Sequence, residues 1–321
     1  MKILVIKLGA LGDVINTFPV VVNIQKHFSA EIHWLVAPLS RPLVSAHHAV
    51  TRTIVFDKTR LKENLPELLR NLRETDYDVI IDFQRILKSG LFCLAAKGKR
   101  RIGFDRKRCK EMTFLLPFER IPPGDPGSHM LMQYMEFGRY LGVPCEHTAW
   151  EIPRFKNNVS GLPPRYAVLN IGATKAPNQW PPHSFAELAD LIYKAFHIPC
   201  VITGGPGDQD RAAVVKNLAQ TEVLDLAGRT TVSDLVEVIA RAECVITSDT
   251  GPMHLASALG TRLVALFGPS DPSRTGPFRG EVLQRHVPCG PCNKKKCSNP
   301  VCMDQIRPGD VMDRLSEMLR V

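Results

Sequence analysis

The chain is predicted to be an α/β protein built from two parallel-sheet domains. Three observations point there. Short apolar runs alternate with longer segments of helical periodicity along nearly the whole length, which is the pattern of βαβ units. Polar or glycine-rich turns follow those apolar runs, where a parallel sheet keeps its functional loops. A polar, turn-rich stretch at 154–164, RFKNNVSGLPP, interrupts the alternation, which then restarts. With 321 residues, 44% of them apolar and 23% charged, the chain can bury two ordinary cores. The expected division is 1–155 and 156–321.

In the first domain, residues 2–7 form a strand, 14–27 a helix, 31–37 and 52–56 strands, 61–73 a helix and 78–82 a strand. Over 61–73, Leu61, Leu65, Leu68, Leu69 and Leu72 recur at helical spacing, so that face is expected to pack while Lys62, Arg70 and Arg73 stay outside. In the second domain, strands are expected at 166–171, 199–203, 223–225, 244–247 and 263–267. Helices are expected at 184–196, 209–218, 232–242 and 254–259, the last closed by Gly260.

Charge is unevenly distributed. Residues 1–150 hold 22 Lys and Arg against 15 Asp and Glu, while the remainder holds 19 against 17. The densest basic stretch is 97–110, KGKRRIGFDRKRCK, which reads either as a solvated loop or as a surface for phosphate, carboxylate or an anionic membrane. It has no recognisable nucleic-acid module, and nucleic acid is not an expected partner. No run approaches the roughly 18 apolar residues of a membrane span, and the start, MKILVIK, is too short and polar-flanked for a secretory signal, so a cytoplasmic protein is expected.

Three turns are candidates to carry chemistry, one in the first domain and two in the second. After the first strand, Gly9 and Gly12 allow a tight turn, and Asp13 falls at or near the N-cap of the next helix, where it either caps that helix or faces a ligand. The spacing Gly-x-x-Gly-Asp is not the G-x-G-x-x-G of dinucleotide sites. In the second domain, Ser248-Asp249-Thr250-Gly251-Pro252 leads into a helix and Gly268-Pro269-Ser270-Asp271-Pro272 follows the next strand. A helix N-terminus at the carboxyl edge of a parallel sheet suits a phosphate.

These motifs resemble a known family. Asp249 to His254 followed by Phe267 to Pro272 is similar to the donor-binding signature of glycosyltransferase family 9, which contains the ADP-heptose:lipopolysaccharide heptosyltransferases. Lys7 to Asp13, Gly172-Ala173-Thr174 with Trp180-Pro181, and Gly204-Gly205-Pro206 occur in the family's order, so the resemblance spans nearly the whole chain. It implies a GT-B fold of two Rossmann-like doubly wound domains facing a central cleft, with an acceptor-binding first domain and a donor-binding second domain. It further implies an inverting enzyme that transfers heptose from ADP-heptose to the anionic inner core of lipopolysaccharide, in peripheral contact with the inner membrane and without a catalytic metal.

Carried over residue by residue, the resemblance makes Asp13 the general base. It assigns the donor to Thr174, Lys175, Gly205, Thr230, Asp249, Thr250, Gly251 and His254. Gly12, Arg60 and Arg101 are acceptor candidates. Read without the family, Lys175 is equally a solvent-facing residue, His254 a packed helix residue, and the loops at Gly205 and Thr230 ordinary turns. The family's Lys two residues before Trp-Pro is replaced by Asn178.

Cys289, Cys292, Cys297 and Cys302 cluster near the C-terminus, and in a cytosolic protein they suggest a structural Zn or Fe knuckle; reduced thiols or disulfides are the alternatives. A similar cluster occurs in part of the family. Two other readings of the chain stand beside the first: a protein O-heptosyltransferase with an iron site, and a non-catalytic nucleotide-binding protein with a redox cysteine cluster.

Overall fold

A computed structural model describes residues 1–145, 147–156 and 159–319. Part of the expected turn-rich boundary, residues 157 and 158, lies outside the described residues. The chain divides into two compact units, Met1–Pro153 and Arg154–Val321.

The first unit contains β1 (Lys2–Ile6), α1 (Leu11–Phe28), β2 (Glu31–Val36), α2 (Arg41–Ala46), β3 (Arg52–Val55), α3 (Leu61–Arg73), β4 (Tyr77–Asp82), α4 (Leu87–Ala95), β5 (Gly98–Gly103), β6 (Glu119–Arg120) and α5 (Met130–Tyr140). Its sheet runs β3-β2-β1-β4-β5-β6, all parallel, so the winding reverses between β1 and β4. Helices cover both faces of such a sheet, which is why the central strands read as continuous apolar runs: Ile3 to Ile6 and Val79 to Ile81 are all buried. Leu4, Ile6, Leu35, Ile54, Leu68, Leu72 and Ile80 belong to one core cluster.

Three expectations for this unit need correction. The helix after β1 begins at Leu11 rather than at 14, with Val14 N–H already bonded to Ala10 O at 3.0 Å, so Asp13 is the third residue of α1 and Ala10 is the N-cap. In α3, Leu68 and Leu72 face the core but Leu65 is exposed, so the packed stripe is narrower than its leucine spacing suggests. The basic stretch at 97–110 is not a solvated loop. Residues 98–103 form β5, Lys99 pairs with Asp78 at 2.8 Å, Arg100 with Glu119 at 2.7 Å, and the buried Arg108 with both Asp105 and Glu136. Arg101 donates to the carbonyls of Cys93, Ala96 and Gly98 at 3.0, 2.8 and 3.0 Å, satisfying the orphan acceptors at the end of α4 and the turn into β5.

The second unit contains β7 (Ala167–Asn170), α6 (Pro182–Phe196), β8 (Cys200–Thr203), α7 (Gln209–Leu218), β9 (Val223–Asp225), α8 (Val232–Ala240), β10 (Cys244–Ser248), α9 (Gly251–Leu259), β11 (Leu263–Phe267), α10 (Pro272–Thr275), β12 (Glu281–Gln284), α11 (Val301–Asp304) and α12 (Pro308–Leu319). The order β12-β11-β10-β7-β8-β9 repeats the winding of the first unit, with its reversal between β7 and β10. Trp180 is fully buried, its ring edge-on to Phe185 and its indole N–H bonded to Ile306 O at 2.9 Å, so it ties the loop after β7 to the segment before α12. Glu237, also buried, accepts from the Arg154 guanidinium and from Phe155 N–H at 2.7 Å, which fastens the start of the unit to α8. Among the described residues, no helix is long and apolar enough to cross a membrane.

Arg101→Ala removes three hydrogen bonds to main-chain acceptors. It is expected to lower the unfolding free energy by about 2 kcal/mol, read by urea denaturation; an unchanged midpoint would show that water replaces those bonds at no cost.

Candidate active site

In a doubly wound sheet, ligands bind beyond the carboxyl ends of the strands where the winding reverses. In the first unit that position is shared by the turn after β1 and the end of β4. Lys7, immediately after β1, is 2% exposed, and its ammonium lies 3.1 Å from Asp13 Oδ2 on α1. The Tyr134 hydroxyl, on α5, donates to Asp13 Oδ1 at 3.2 Å, and the Lys7 ammonium sits 5.2 Å from the centre of the Tyr134 ring. Asp82, at the end of β4, accepts from Gln84 N–H at 2.9 Å and from the Ser89 hydroxyl at 3.0 Å. Gln84 Oε1 in turn accepts from Leu8 and Gly9 N–H, which joins the two strand ends.

The electrostatics follow from burial. Desolvation pushes Lys7 down, but the Asp13 carboxylate and Tyr134 outweigh it and raise its pKa, so the ammonium stays charged. Burial and the neighbouring Asp13 charge raise Tyr134 to about 12, keeping it a neutral phenol that can donate. Burial raises Asp82 to about 6, against the opposing pull of its hydrogen bonds and of the Lys7 charge. Asp13 is the exposed member: its side chain is 39% accessible and lines a groove of about 600 Å³. Asp57, Lys58 and Thr59 lie along the same groove, as do Gln84, Ile86 and Lys88.

The expected acceptor residues fall differently. Gly12 is buried as the second residue of α1. Arg60 is largely exposed and paired with Glu63 at 3.0 Å. Arg101 is held on main-chain carbonyls, as described above, and does not line the groove. The basic groups along the groove are instead Lys58 and Lys88. Lys7, Tyr134 and Asp82 were not among the predicted site residues. Lys7 has a local signal, a lysine between an apolar strand and a glycine turn, whereas Tyr134 is 121 positions from Asp13.

In the second unit, the reversal brings the loop after β7 beside the loop after β10. Asn170, Thr203, Thr247 and Thr250, all buried, form one neutral network: Asn170 Nδ2 donates to Thr247 Oγ1 at 2.9 Å, Thr203 Oγ1 to Asn170 Oδ1 at 3.3 Å, and the Thr247 and Thr250 hydroxyls are 3.0 Å apart. The Thr250 hydroxyl also donates to Ser248 O at 3.2 Å, which braces the turn. Thr250 is the N-cap of α9 but gives no side-chain cap, and Pro252 lacks an N–H, so Gly251 and Met253 supply helix-end amides that the Thr250 hydroxyl does not cap. α9 thus starts three residues before the expected 254. His254 is buried in its first turn and Asp249 is half-buried just before it.

The other expected donor residues are spread along the same sheet edge. Thr174 is exposed and Lys175 half-buried in the loop after β7. Gly205 follows β8 and donates its N–H to Asp208 Oδ2 at 2.8 Å, while Thr230 follows β9, where Gly228 N–H is bonded to Gly204 O at 2.9 Å. A Cβ on Gly172 would come within 2.6 Å of Asp208 Oδ2, so that glycine permits the close approach of the loops after β7 and β8. Asn178 is buried with its amide donating to Ser270 Oγ at 3.3 Å; it links the loop after β7 to the turn after β11.

The four cysteines do not assemble as expected. Cys289 and Cys297 are exposed, Cys292 is half-buried and Cys302 is buried on α11. Among the described residues, no group of three or more His, Cys, Asp or Glu side chains is placed to hold a metal ion. The segment instead lies against the turn after β11, with Asn293 N–H bonded to Pro269 O at 2.8 Å and Cys302 Sγ beside Gly268. As placed, these residues do not fit a four-thiolate centre.

Asp82 generates a pH prediction. Its pKa is about 6 folded against 3.8 as the ordinary value, so the stability from its bound proton is full below pH 3.8 and is lost as the pH rises through 6. Relative to Asp82→Asn, the native chain is expected to lose about 3 kcal/mol of stability between pH 4 and pH 7, read by urea unfolding at both pH values. Parallel pH dependence in the two proteins would contradict it.

The family model for glycosyltransferase family 9 (heptosyltransferase) matches residues 66–302. Lipopolysaccharide heptosyltransferase 1 of Pseudomonas aeruginosa is 28% identical over 99% of this chain and 98% of its own length. The lipopolysaccharide core heptosyltransferase OpsX of Haemophilus influenzae is 27% identical over 85% of this chain and 81% of its own. Among solved structures, Escherichia coli ADP-heptose lipopolysaccharide heptosyltransferase II superposes with a TM-score of 0.82 at 24% identity, covering 99% of this chain and 98% of that one, and the fold is therefore GT-B. With two doubly wound units in one order and a family match across most of its length, this chain belongs to glycosyltransferase family 9.

Proposed function

We propose that this protein is an inverting glycosyltransferase that moves heptose from ADP-heptose to the inner core of lipopolysaccharide. The observation that carries the reading is the Asp13 carboxylate, gripped on one oxygen by Lys7 and on the other by Tyr134 while its side chain opens on a groove with two lysines. Relatives that span the chain almost end to end bear the name of lipopolysaccharide heptosyltransferases, which supports this donor and acceptor.

In this reaction the acceptor hydroxyl gives its proton to Asp13 as its oxygen attacks the anomeric carbon. The new C–O bond forms as the bond to the diphosphate breaks, ADP leaves with the electron pair, and a single displacement inverts the configuration. Lys7 and Tyr134 do not touch the sugar; they are positioning residues that orient the carboxylate. The negative charge that grows on ADP is assigned to the Gly251 and Met253 amides at the start of α9 and to Lys175. Asp249 and His254 flank those amides, Thr174 flanks Lys175, and Gly205 and Thr230 are assigned to the ribose and adenine. Thr250 acts through the turn it braces.

On the acceptor side, Lys58 and Lys88 suit the carboxylates and phosphates of an inner core, with Arg60 further out and the Gly12 amide beneath Asp13. The reading places the enzyme at the cytoplasmic face of the inner membrane, where its lipid-borne acceptor is held.

The direct test is incubation with ADP-heptose and an inner-core acceptor, with the product's anomeric configuration read by NMR. One ADP per heptose transferred and an inverted anomer are expected; a retained anomer, or donor hydrolysis without transfer, would overturn the reading. Tyr134→Phe, which removes one of the two grips on Asp13, is expected to lower kcat about tenfold with the donor KM unchanged in steady-state assays.

A further inference from the structure

α4 carries an apolar face that stays exposed among the described residues. Leu87, Leu91 and Leu94 recur at i, i+4 and i+7 and are 46%, 55% and 37% exposed, while Phe92 and Cys93 fill the inward face. The loop that follows β5 runs alongside. Leu87 N–H is bonded to Glu111 Oε2 at 3.0 Å, Lys110 N–H to Arg85 O at 3.1 Å, and Leu116 packs so closely over Gly90 that a Cβ there would come within 2.2 Å of it. From this loop Met112 and Leu115 project, 64% and 65% exposed, and both Glu111 and Met112 hold left-handed backbone with φ of 50° and 57°. A bulky residue in that region costs free energy, so the display of Met112 is maintained by its surroundings.

Basic groups border these five side chains. Lys97 is exposed just beyond the end of α4, and Arg73 donates to Ala95 O at 3.3 Å. Arg106 lies 4.8 Å from the centre of the Phe114 ring, one residue from Leu115, with Lys107 exposed beside it. A carboxylate beside the apolar face, Glu111, is engaged by Leu87 N–H.

We propose that this face docks on an anionic phospholipid surface, with the leucines and Met112 entering the acyl boundary and the lysines and arginines meeting headgroup phosphates. Apolar area combined with bordering cations is what holds a protein at such an interface. Pairing with a second copy is disfavoured by the same charges, since two basic borders would be brought together. The placement also has a consequence for chemistry. Ile86 and Lys88 line the groove of Asp13 while Leu87, between them, points outward, so the docked face meets the bilayer directly beside that groove. The inference rests on the reading that the acceptor is lipid-borne, but the surface can be tested without acceptor or donor.

The experiment is sedimentation of the full chain with vesicles of phosphatidylethanolamine and phosphatidylglycerol, against vesicles of phosphatidylcholine. Binding to the anionic vesicles that weakens with salt is expected, and Leu91→Glu with Leu94→Glu should reduce it at least about tenfold while leaving the circular dichroism spectrum and transfer to a delipidated core fragment unchanged. As a second readout, Leu91→Trp should give emission that shifts to the blue and is quenched by brominated lipid; the native Trp34, Trp150 and Trp180 are buried and report little. Undiminished binding by the double variant, no shift from the introduced tryptophan, or a dimer that the double variant dissociates would each overturn the proposal. Vesicle binding without transfer would instead count against the proposed reaction and leave the docking surface standing.

Discussion

A lysine ammonium buried at the end of a central strand is the constraint around which the first unit is organised. Such a charge is costly away from water unless opposite charge and hydrogen bonds surround it. Asp13 supplies the near contact at 3.1 Å, Tyr134 offers its ring and hydroxyl, and Asp82 adds a second carboxylate whose own titration Lys7 opposes. These partners come from α1, α5 and β4 respectively, so one buried charge fixes the mutual position of three elements at the point where the sheet reverses. It also leaves Asp13 at once held and accessible, a combination that an unaided carboxylate on the first turn of a helix would lack.

The second unit has the same strand order but a different kind of edge. There the reversal is filled by Asn170, Thr203, Thr247 and Thr250, neutral groups that satisfy one another. A neutral network adds no charge of its own; the polar groups beside it are the helix-end amides of α9, the Asp249 carboxylate and Lys175 in the loop after β7. The units therefore differ in chemistry at equivalent positions: a charged cluster with an accessible carboxylate in one, and helix-end amides on a neutral support in the other.

Much of the fold is legible in the sequence because buried parallel strands are short apolar runs. The limits of α3, α7, β9 and β11 coincide with those expected from periodicity. Elements whose amphipathic signal is masked were not legible. β5 reads as a basic stretch because its arginines and lysines are neutralised by Asp78, Glu119 and main-chain carbonyls contributed from elsewhere in the unit. α4 is apolar on both its buried and its exposed faces, so its period is smeared. At the site, Asp13 and the turns of the second unit stand out as motifs, but a Tyr134 contact across 121 positions has no local trace. Spacing alone likewise suggested a metal knuckle, whereas the Cys302 thiol lies within electrostatic range of Cys289 and Cys292 but, among the described residues, no three such ligands are placed to hold a metal.

The central claim is that Asp13 acts in the transition state and contributes little to holding the donor. The measurement that tests it most directly pairs calorimetric titration of Asp13→Asn by ADP with the rate of heptose transfer by the same preparation. The account predicts a loss of about a thousandfold in kcat with ADP affinity within about twofold of the native value. Equal losses of rate and affinity, or transfer near the native rate, would contradict it.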